Sequence, residues 1–424
     1  IAQSQNIDVI VLDHHQSDLK LPNACAIVNP NRYDDTSKLN YLCAAGVCFI
    51  FLAALNKKLR DRNWFEEEKI NEPNILNFLD LVSLGTVCDV VPLVDLNRAI
   101  VTQGLKVLKK RSNLGLKTLY DLCNIESQPT TFDLGFRLGP RINAGGRVGK
   151  ASHGAELLIS NDPEKTYQIA LDLDKSNKER QAIELMLSEQ INLEVKNYHN
   201  HPVLVMSGNN WHEGIIGIVA SRIKEKYNKP TILISLQQNI GKGSARSVVG
   251  FDIGSQIIKA VQCGILQKGG GHKMAGGFIL KKENIPTFRD FLIKNFEKSN
   301  INSSASTNLY LDSIIAPSAL NEVFFDEINC LAPFGSGNSE PKFVIENIKV
   351  ISANIVGNNH IKLVLSGKDG TVFKSLAWNA INTPLEPFLN NKNRKRINIA
   401  GKMHLNQWRG ERKVEFMIED IALN

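Results

Sequence analysis

The sequence predicts an α/β protein of several domains that ends in a small β-barrel, and three observations carry that prediction. Strand-like and helix-like segments alternate through residues 1–160, a long unbroken helical stretch follows, and residues 341–424 read as short strands separated by turn residues. At 424 residues the chain is longer than the roughly 250–300 over which a single hydrophobic core keeps growing. Apolar residues make up 43% and charged residues 22%, which excludes collagen-like and disordered classes. No apolar run reaches the roughly 18–20 residues that a membrane span needs. The N-terminus, which starts at Ile1, lacks the basic–apolar–small pattern of a leader. The expectation is a cytoplasmic protein with no membrane partner.

IDVIVLDHH at 7–15 is an apolar, β-branched run that ends in polar residues, as a buried parallel strand does. Gly46 to Leu59 and Asn74 to Ser83 have helical periodicity. Such βα alternation implies an open, mostly parallel sheet with ligands at the carboxyl ends of its strands. Asp13, His14 and His15 fall at such an end. Asp162 can cap a helix with Pro163 at its first position, and this helix runs to about Val195. Leu171, Leu173, Ile183, Met186, Leu187 and Ile191 are expected on its buried face. It reads as a connector over 161–198 between a first domain at 1–160 and a second at 199–300. In that second domain PVLVMSG (202–208) and PTILISL (230–236) are strands flanking a helix at 215–227. The polar stretch SNINSSASTN (299–308) marks the next boundary. About five alternating strands then fit an OB-fold barrel at 309–424. Trp378 and Trp408 are read as barrel core, with base stacking as the alternative.

The net charge of +7 is mild, so its placement matters more than its size. RLGPRINAGGRVGK at 137–150 carries Arg137, Arg141, Arg147 and Lys150 with no acid, and the last 34 residues hold eight basic and four acidic groups. Basic stretches interrupted by glycine hold phosphates through side-chain charge and close backbone N–H groups. The seven cysteines form no CxxC pair, so a zinc ribbon and a thioredoxin-type site are not indicated. Buried free thiols in a reducing compartment are expected.

Asp13-His14-His15 offers nitrogen and oxygen donors of the kind Mn²⁺ accepts. Neighbours on an extended strand point to opposite faces, so both histidines can serve one site only if the strand has already ended. One is then a ligand and the other touches substrate or supports the ligand; the alternative is a surface loop. In LVSLGTVCDVVPL (81–93), Gly85-Thr86 is expected to break a helix, and Asp89 stands alone among apolar residues. A carboxylate there needs a metal, a hydrogen bond or a cap role. GPRINAGGRVGK (139–150) suits either a phosphate cradle or a glycine-rich hinge. GKGSARSVVGFD (241–252) and KGGGHKMAGGF (268–278) read as further cradles, the second with little side chain between backbone and ligand. No Walker motif and no Rossmann fingerprint occurs, so nucleotide hydrolysis and hydride transfer have no support.

Taken together these segments resemble the DHH phosphoesterases and, in their order, the RecJ branch of single-strand exonucleases. VIVLDHH (9–15), LGTVCDVVPL (84–93), GPRINAGGR (139–147), LDKSNKERQ (173–181), HEGIIGIVASR (212–222), GSARSVVGFD (243–252), GGGHKMAGGF (269–278) and LAPFGSGNSEP (331–341) follow in family order across essentially the whole chain. The resemblance implies a DHH domain, a connecting helix, a DHHA1 domain and an OB-fold. It also implies two divalent ions, Mn²⁺ or Mg²⁺, and in-line attack on a phosphodiester by water activated there. His14 and Asp89 would be metal ligands, with Asp13 orienting the site and His15 contacting the scissile phosphate. Arg141, Asn143 and Arg147 would meet the nucleic-acid backbone. Ser244 and Arg246 would hold a 5′ phosphate, and Gly270, Gly271 and His272 would line the groove. Release of mononucleotides from the 5′ end of single-stranded DNA, a role in repair and recombination, and partners such as a single-strand-binding protein and a helicase also follow from the resemblance alone.

The family places an Asp-x-Asp-Gly turn and an Asp-bearing strand end ahead of DHH, and this chain contains neither. Asp172-Leu173-Asp174 lies on the connecting helix and is no substitute. The expectation is a chain that binds DNA but cleaves it poorly or not at all, with apolar sheet surface exposed where edge strands are missing. The alternative is a non-catalytic DHH scaffold for single-stranded nucleic acid. A DHH enzyme for small substrates is disfavoured by the C-terminal barrel.

Overall fold

The computed structural model describes residues 2–17, 19–126, 128–198, 200–299, 308–357, 359–390, 396–408 and 411–423. It divides into two compact units, one of Ile1–Ser112, Ser127–Gly135 and Asn308–Asn424, the other of Asn113–Glu126 and Phe136–Thr307.

In the first unit, strands β1 (Ile10–Leu12) and β2 (Ala26–Val28) pair in parallel, Ile10 opposite Ala26. The strand expected over 7–15 is thus only three residues long, and it is not buried: Ile7, Ile10 and Val28 are 54, 55 and 37% exposed. Apolar sheet surface is open, as expected. Helices α1 (Ala44–Asp61), α2 (Trp64–Glu67), α3 (Leu79–Cys88) and α4 (Asp95–Lys109) follow. The helix expected from Asn74 opens as a 3₁₀ turn at Ile75–Phe78 and becomes α-helical only at Leu79. Gly85-Thr86 does not break it. Gly85 is a packing glycine, because a Cβ there would lie 2.8 Å from the Ala45 Cβ of α1. Thr86 satisfies its hydroxyl inside the helix by donating to the Val82 carbonyl at 2.7 Å.

The second unit begins with α5 (Leu114–Leu122), α6 (Gly139–Val148), α7 (His153–Ile159) and the 33-residue α8 (Pro163–Val195). GPRINAGGR is neither a cradle nor a hinge: it is helix α6. Its Gly145 lets α6 lie on α8, since a Cβ there would stand 3.1 Å from a Leu173 methyl. The α8 start is as predicted, with Asp162 accepting the Glu164 and Lys165 amides at 2.9 and 3.1 Å. Leu173, Leu187 and Ile191 are buried on its inner face, whereas Leu171 and Met186 are 37 and 70% exposed. At about 100° per residue, those two positions point some 140–160° away from Leu173.

A five-stranded sheet follows, in the order β3 (Leu204–Asn209), β4 (Thr231–Gln237), β5 (Ile240–Arg246), β7 (Ala275–Lys281), β6 (Lys268–His272). The β3–β4 pair is parallel and the other pairs antiparallel. Helix α9 (Glu213–Tyr227) and the end of α8 cover one face through Ile215, Val219, Ile191, Met206 and Leu233. Helices α10 (Ile253–Gln262) and α11 (Ile285–Lys298) cover the other through Ile257, Phe288, Leu292 and Phe278. The glycine-rich segments read as phosphate cradles are in large part strands of this sheet.

The C-terminal part, which returns to the first unit, contains β8 (Ser313–Ile314), α12 (Glu322–Asn329), β9 (Phe343–Val356), β10 (His360–Ser366), β11 (Val372–Ala377), α13 (Glu386–Leu389), β12 (Ile397–Trp408) and β13 (Glu411–Leu423). The sequence of neighbours β9-β10-β11-β13-β12 closes back on β9, with β11 and β13 parallel. This is the expected five-stranded OB barrel, filled by Ile345, Ile361, Leu363, Leu365, Ile399 and Phe416. Trp378 is not core: it is 55% exposed, edge-on to the His360 ring at 4.2 Å. The Trp408 side chain and most of the polar stretch at 299–308 lie outside the described residues. None of the seven cysteines forms a disulfide, but Cys25, Cys263 and Cys330 are exposed, contrary to the expectation of buried thiols. No helix among the described residues is long and apolar enough to cross a membrane.

Candidate metal centre and anion-binding face

Asp13 is the residue at which β1 ends. Its amide still donates to the Val28 carbonyl at 3.1 Å, while its carboxylate Oδ1 turns the chain by accepting the amides of His14 at 2.7 Å and His15 at 3.2 Å. The same oxygen meets His15 Nδ1 at 2.7 Å. Because the strand is over, the two histidines no longer alternate, and their rings lie 4.5 Å apart. Burial pushes the Asp13 carboxyl up, but the hydrogen bonds from the His15 ring and from the two amides outweigh it and hold the group below its usual range. An ionised Asp13 places the proton on His15 Nδ1 and leaves Nε2 facing outward.

Two asparagines that sequence reading missed secure this turn. Asn29 Nδ2 donates to the His15 carbonyl at 2.8 Å and Asn31 Nδ2 to the His14 carbonyl at 2.7 Å. The Asn-Pro-Asn triplet directly after β2 was the available signal, since a second parallel strand must end beside the first.

Asp89 caps the C-terminus of α3 and sets Oδ2 3.5 Å from His14 Nδ1. A helix C-terminus carries partial negative charge, so a carboxylate there is unfavourable unless a cation offsets it. The next residue, Val90, has φ +59°, a left-handed conformation that a β-branched side chain rarely adopts. The chain turns here, directly after Asp89. Burial, and then the Asp89 charge, pushes the neighbouring Cys88 thiol up to about 11, so that sulfur stays protonated. Imidazole and carboxylate together suit Mn²⁺ or Mg²⁺ in donor type. Among the described residues no group of three His, Cys, Asp or Glu side chains converges; His14 and Asp89 are two such donors that meet at this turn.

In the second unit the anion-binding candidates gather on one face of the sheet. Ser244, Gly277 and Gly270 are successive cross-strand partners on β5, β7 and β6, and Arg246, Ala275 and His272 form the next row. Alternation puts both rows on the α9 side. At Gly270 an added Cβ would meet nothing within 4 Å, and at Gly277 only the Gly243 carbonyl at 3.8 Å. These glycines leave an open floor beside Ser244. Gly271 differs, because its Cβ would strike the Ala275 carbonyl at 2.4 Å, so it is glycine for strand packing.

Arg246 Nη1 donates to Ser244 Oγ at 3.1 Å and to the Ala245 carbonyl at 2.8 Å. Arg147, at the end of α6, donates to the Gly214 carbonyl in the first turn of α9 at 2.7 Å. Burial and then the Arg147 charge lower the Arg246 pKa; burial and then Arg180 lower that of Arg147. Two guanidiniums that crowd each other in this way favour an anion between them. Gly217 allows α9 to approach, since a Cβ there would lie 2.9 Å from Ser244 Oγ.

Arg147, Ser244 and Arg246 are therefore brought together. Arg141 is engaged elsewhere, donating to Asp174 on α8 at 2.8 Å and to the Arg137 carbonyl at 2.7 Å. Asn143 is exposed on α6, and His272 is exposed at the end of β6. Sequence reading missed Glu184, 1% exposed, which binds Arg180 at 2.5 Å and Arg222 at 2.6 Å. The Arg180–Glu184 spacing of one helical turn was legible; the Arg222 partnership needed α8 packed on α9.

Matches to family models cover residues 1–86 (DHH family, N-terminal domain), 200–298 (DHHA1 domain) and 311–420 (RecJ OB domain). The single-stranded-DNA-specific exonuclease RecJ of Dickeya dadantii is 33% identical over 99% of this chain and 74% of its own length. The Bacillus subtilis protein of that name is 30% identical over the whole chain and 52% of its own length. A crystal structure of Thermus thermophilus RecJ in complex with Mn²⁺ superposes with a TM-score of 0.81 at 28% identity, covering 99% of this chain and 59% of that one. The Mg²⁺ complex of the same protein superposes with a TM-score of 0.77.

Proposed function

The chain belongs to the RecJ family of single-stranded-DNA-specific exonucleases, and from that premise we propose that it is a metal-dependent phosphodiesterase that processes single-stranded DNA from a 5′ end. The observation that carries the reading is the convergence of Asp89 on the Asp13-His14-His15 turn, which brings an imidazole and a carboxylate, donors a divalent cation accepts, to one place. His14 and Asp89 would hold the ion. Bound Mn²⁺ or Mg²⁺ would supply Lewis acidity, making an attacking water more acidic and neutralising developing charge. Asp13 fixes the orientation of the His15 ring, which would contact the scissile phosphate. Ser244, Arg246 and Arg147 would hold a terminal phosphate over the glycine floor, where fixed donors replace water at low reorganisation cost. We take residues 1–160 as the catalytic domain, 161–198 as the connector, 199–300 as the phosphate-binding domain and 309–424 as the barrel that tracks the strand.

Two donors hold a divalent ion weakly, so slow cleavage by this chain is part of the proposal. The same two-donor set favours, as a second reading, a scaffold that binds single strands without cutting them. Mn²⁺-dependent release of mononucleotides from a 5′-phosphorylated single strand tests the first, with loss of release in Asp89→Ala. Tight binding with no release at any Mn²⁺ concentration selects the second. For either, affinity must fall steeply as salt rises; a flat response would remove phosphate tracking from both.

A further inference from the structure

The motif LAPFGSGNSEP at 331–341 precedes the barrel and has no part in the site described above. It lies in the same unit as Asp89. The Leu93 amide donates to the Ser336 carbonyl at 2.7 Å, and Leu93 is 2% exposed. Gly337 has φ +72°, and a Cβ there would lie 2.9 Å from Pro92 Cβ and 3.3 Å from Pro92 Cα. At Gly335 a Cβ would lie 2.8 Å from a Leu93 methyl. The positive φ and the rigid Pro92 neighbour call for glycine at 337, and a larger residue at 335 would have to displace the Leu93 methyl.

The segment is itself fixed. Asn338 Nδ2 donates to the carbonyls of Leu331 at 2.9 Å and Pro333 at 2.8 Å, and Gly335 and Asn338 exchange backbone hydrogen bonds at 2.9 and 3.2 Å. Arg98 of α4 donates to the Leu331 carbonyl, and Thr131 to the Phe334 carbonyl, both at 2.6 Å. From the opposite side the fully buried Asn97 donates to the Pro92 carbonyl at 2.9 Å and to the Tyr41 carbonyl at 2.8 Å. Pro92-Leu93 is thus gripped between α4 and the segment that leads into the barrel. Between that grip and α3 stands Val90 at φ +59°. A strained residue persists only where its surroundings over-determine it, and the grip is what does so here.

We propose that residues 331–338 are a clamp that positions the Asp89–Leu93 turn, so that the segment leading into the barrel holds Asp89 against His14. Ser336, Gly337 and Asn338 act through Leu93 and Pro92 and touch no substrate. The proposal rests on Asp89 serving as a metal ligand for its consequence, but its geometry can be tested without metal.

The test is hydrogen–deuterium exchange on the full 424-residue chain, comparing Gly337→Ala with Gly370→Ala. Gly370 also has positive φ, +81°, but a Cβ there meets nothing within 4 Å, so it controls for backbone strain alone. Gly337→Ala is expected to speed exchange at the Leu93 amide about fivefold or more, the effect of one lost hydrogen bond, while amides 361–365 stay as in the parent chain. Mn²⁺ titration of the same variant should need a higher concentration for half-saturation. Unchanged exchange over 87–93 in Gly337→Ala, or an equal rise in Gly370→Ala, would overturn the clamp. If Gly337→Ala does not fold, Thr131→Val loosens one anchor only: faster exchange over 87–93 supports the clamp, and no change overturns it. Absence of nuclease activity in the parent chain would count against the proposed function and leave the exchange result standing.

Discussion

Gly276 and Gly277 are neighbours in β7, yet the structure assigns opposite outcomes to the same substitution. A Cβ at Gly276 would stand 2.4 Å from the Ile257 Cδ1 of α10 and 3.0 Å from the Gly270 carbonyl. Alanine there overpacks the sheet–helix interface, at a cost of about 1–3 kcal/mol. At Gly277 the nearest atom would be 3.8 Å away, and at Gly270 there is none within 4 Å. Alanine at either site removes glycine's excess conformational freedom from a paired strand and should raise stability by about 0.5–1 kcal/mol. On the ligand side the expectation reverses. A methyl rising from the floor beside Ser244 and Arg246 lifts a phosphate away from those donors. Losing one charge-assisted hydrogen bond is worth about 1.5–3 kcal/mol, roughly 10- to 150-fold in Kd. Urea melts and fluorescence anisotropy with a 5′-phosphorylated oligonucleotide, at one salt concentration, measure both quantities. If Gly277→Ala and Gly270→Ala bind as tightly as the parent while melting as expected, the face is not where the phosphate sits. If Gly276→Ala is the more stable variant, the assignment of sheet faces is wrong.

Three further outcomes are expected. Asp89→Asn should leave stability unchanged or raise it by up to about 1 kcal/mol, since it removes an adverse charge from a helix C-terminus, while calorimetry detects no Mn²⁺ binding; retained binding would exclude Asp89 as a ligand. Trp378→Ala should weaken single-strand binding by about 5- to 150-fold, the worth of one stacked base, with no change in Tm; equal affinity would leave the exposed ring without that role. Burial raises the Asp174 pKa, but hydrogen bonds from Lys178 and Arg141 outweigh it and hold the folded-state value below the unfolded one. The resulting stabilisation is present above about pH 4 and is lost as pH falls through the lower folded-state value. Asp174→Asn should therefore lower Tm at neutral pH and flatten the acid limb of the Tm–pH curve; a curve parallel to that of the parent would show the pair to be inert.

Local order in the sequence was enough to find several of the elements and the chemistry they offer. The end of β1 at Asp13, the Asp162 cap with Pro163, the isolated Asp89 and the strands of the barrel were all legible, because each depends on residues within a turn or two. Gly85-Thr86 and GPRINAGGR misled for the converse reason. Glycine's local signal is conformational freedom, whereas here it provides room for α1 to approach α3 and for α6 to approach α8. Which glycines are floor and which are packing depended on the register of three strands, as the contrast between Gly277 and Gly276 shows. Arg147 and Arg246 lie on elements far apart in the chain, and only the packing of α9 against both brings them together. Arg141, alike in sequence context, is occupied by Asp174. The aim of Asp89 is likewise not a property of its neighbours: it is held by Ser336 and Gly337, contacts that no short-range pattern encodes. Residue types and their spacing determined the chemistry available to this protein, and tertiary packing decided which of those groups meet, because distance in the chain does not measure distance in the fold.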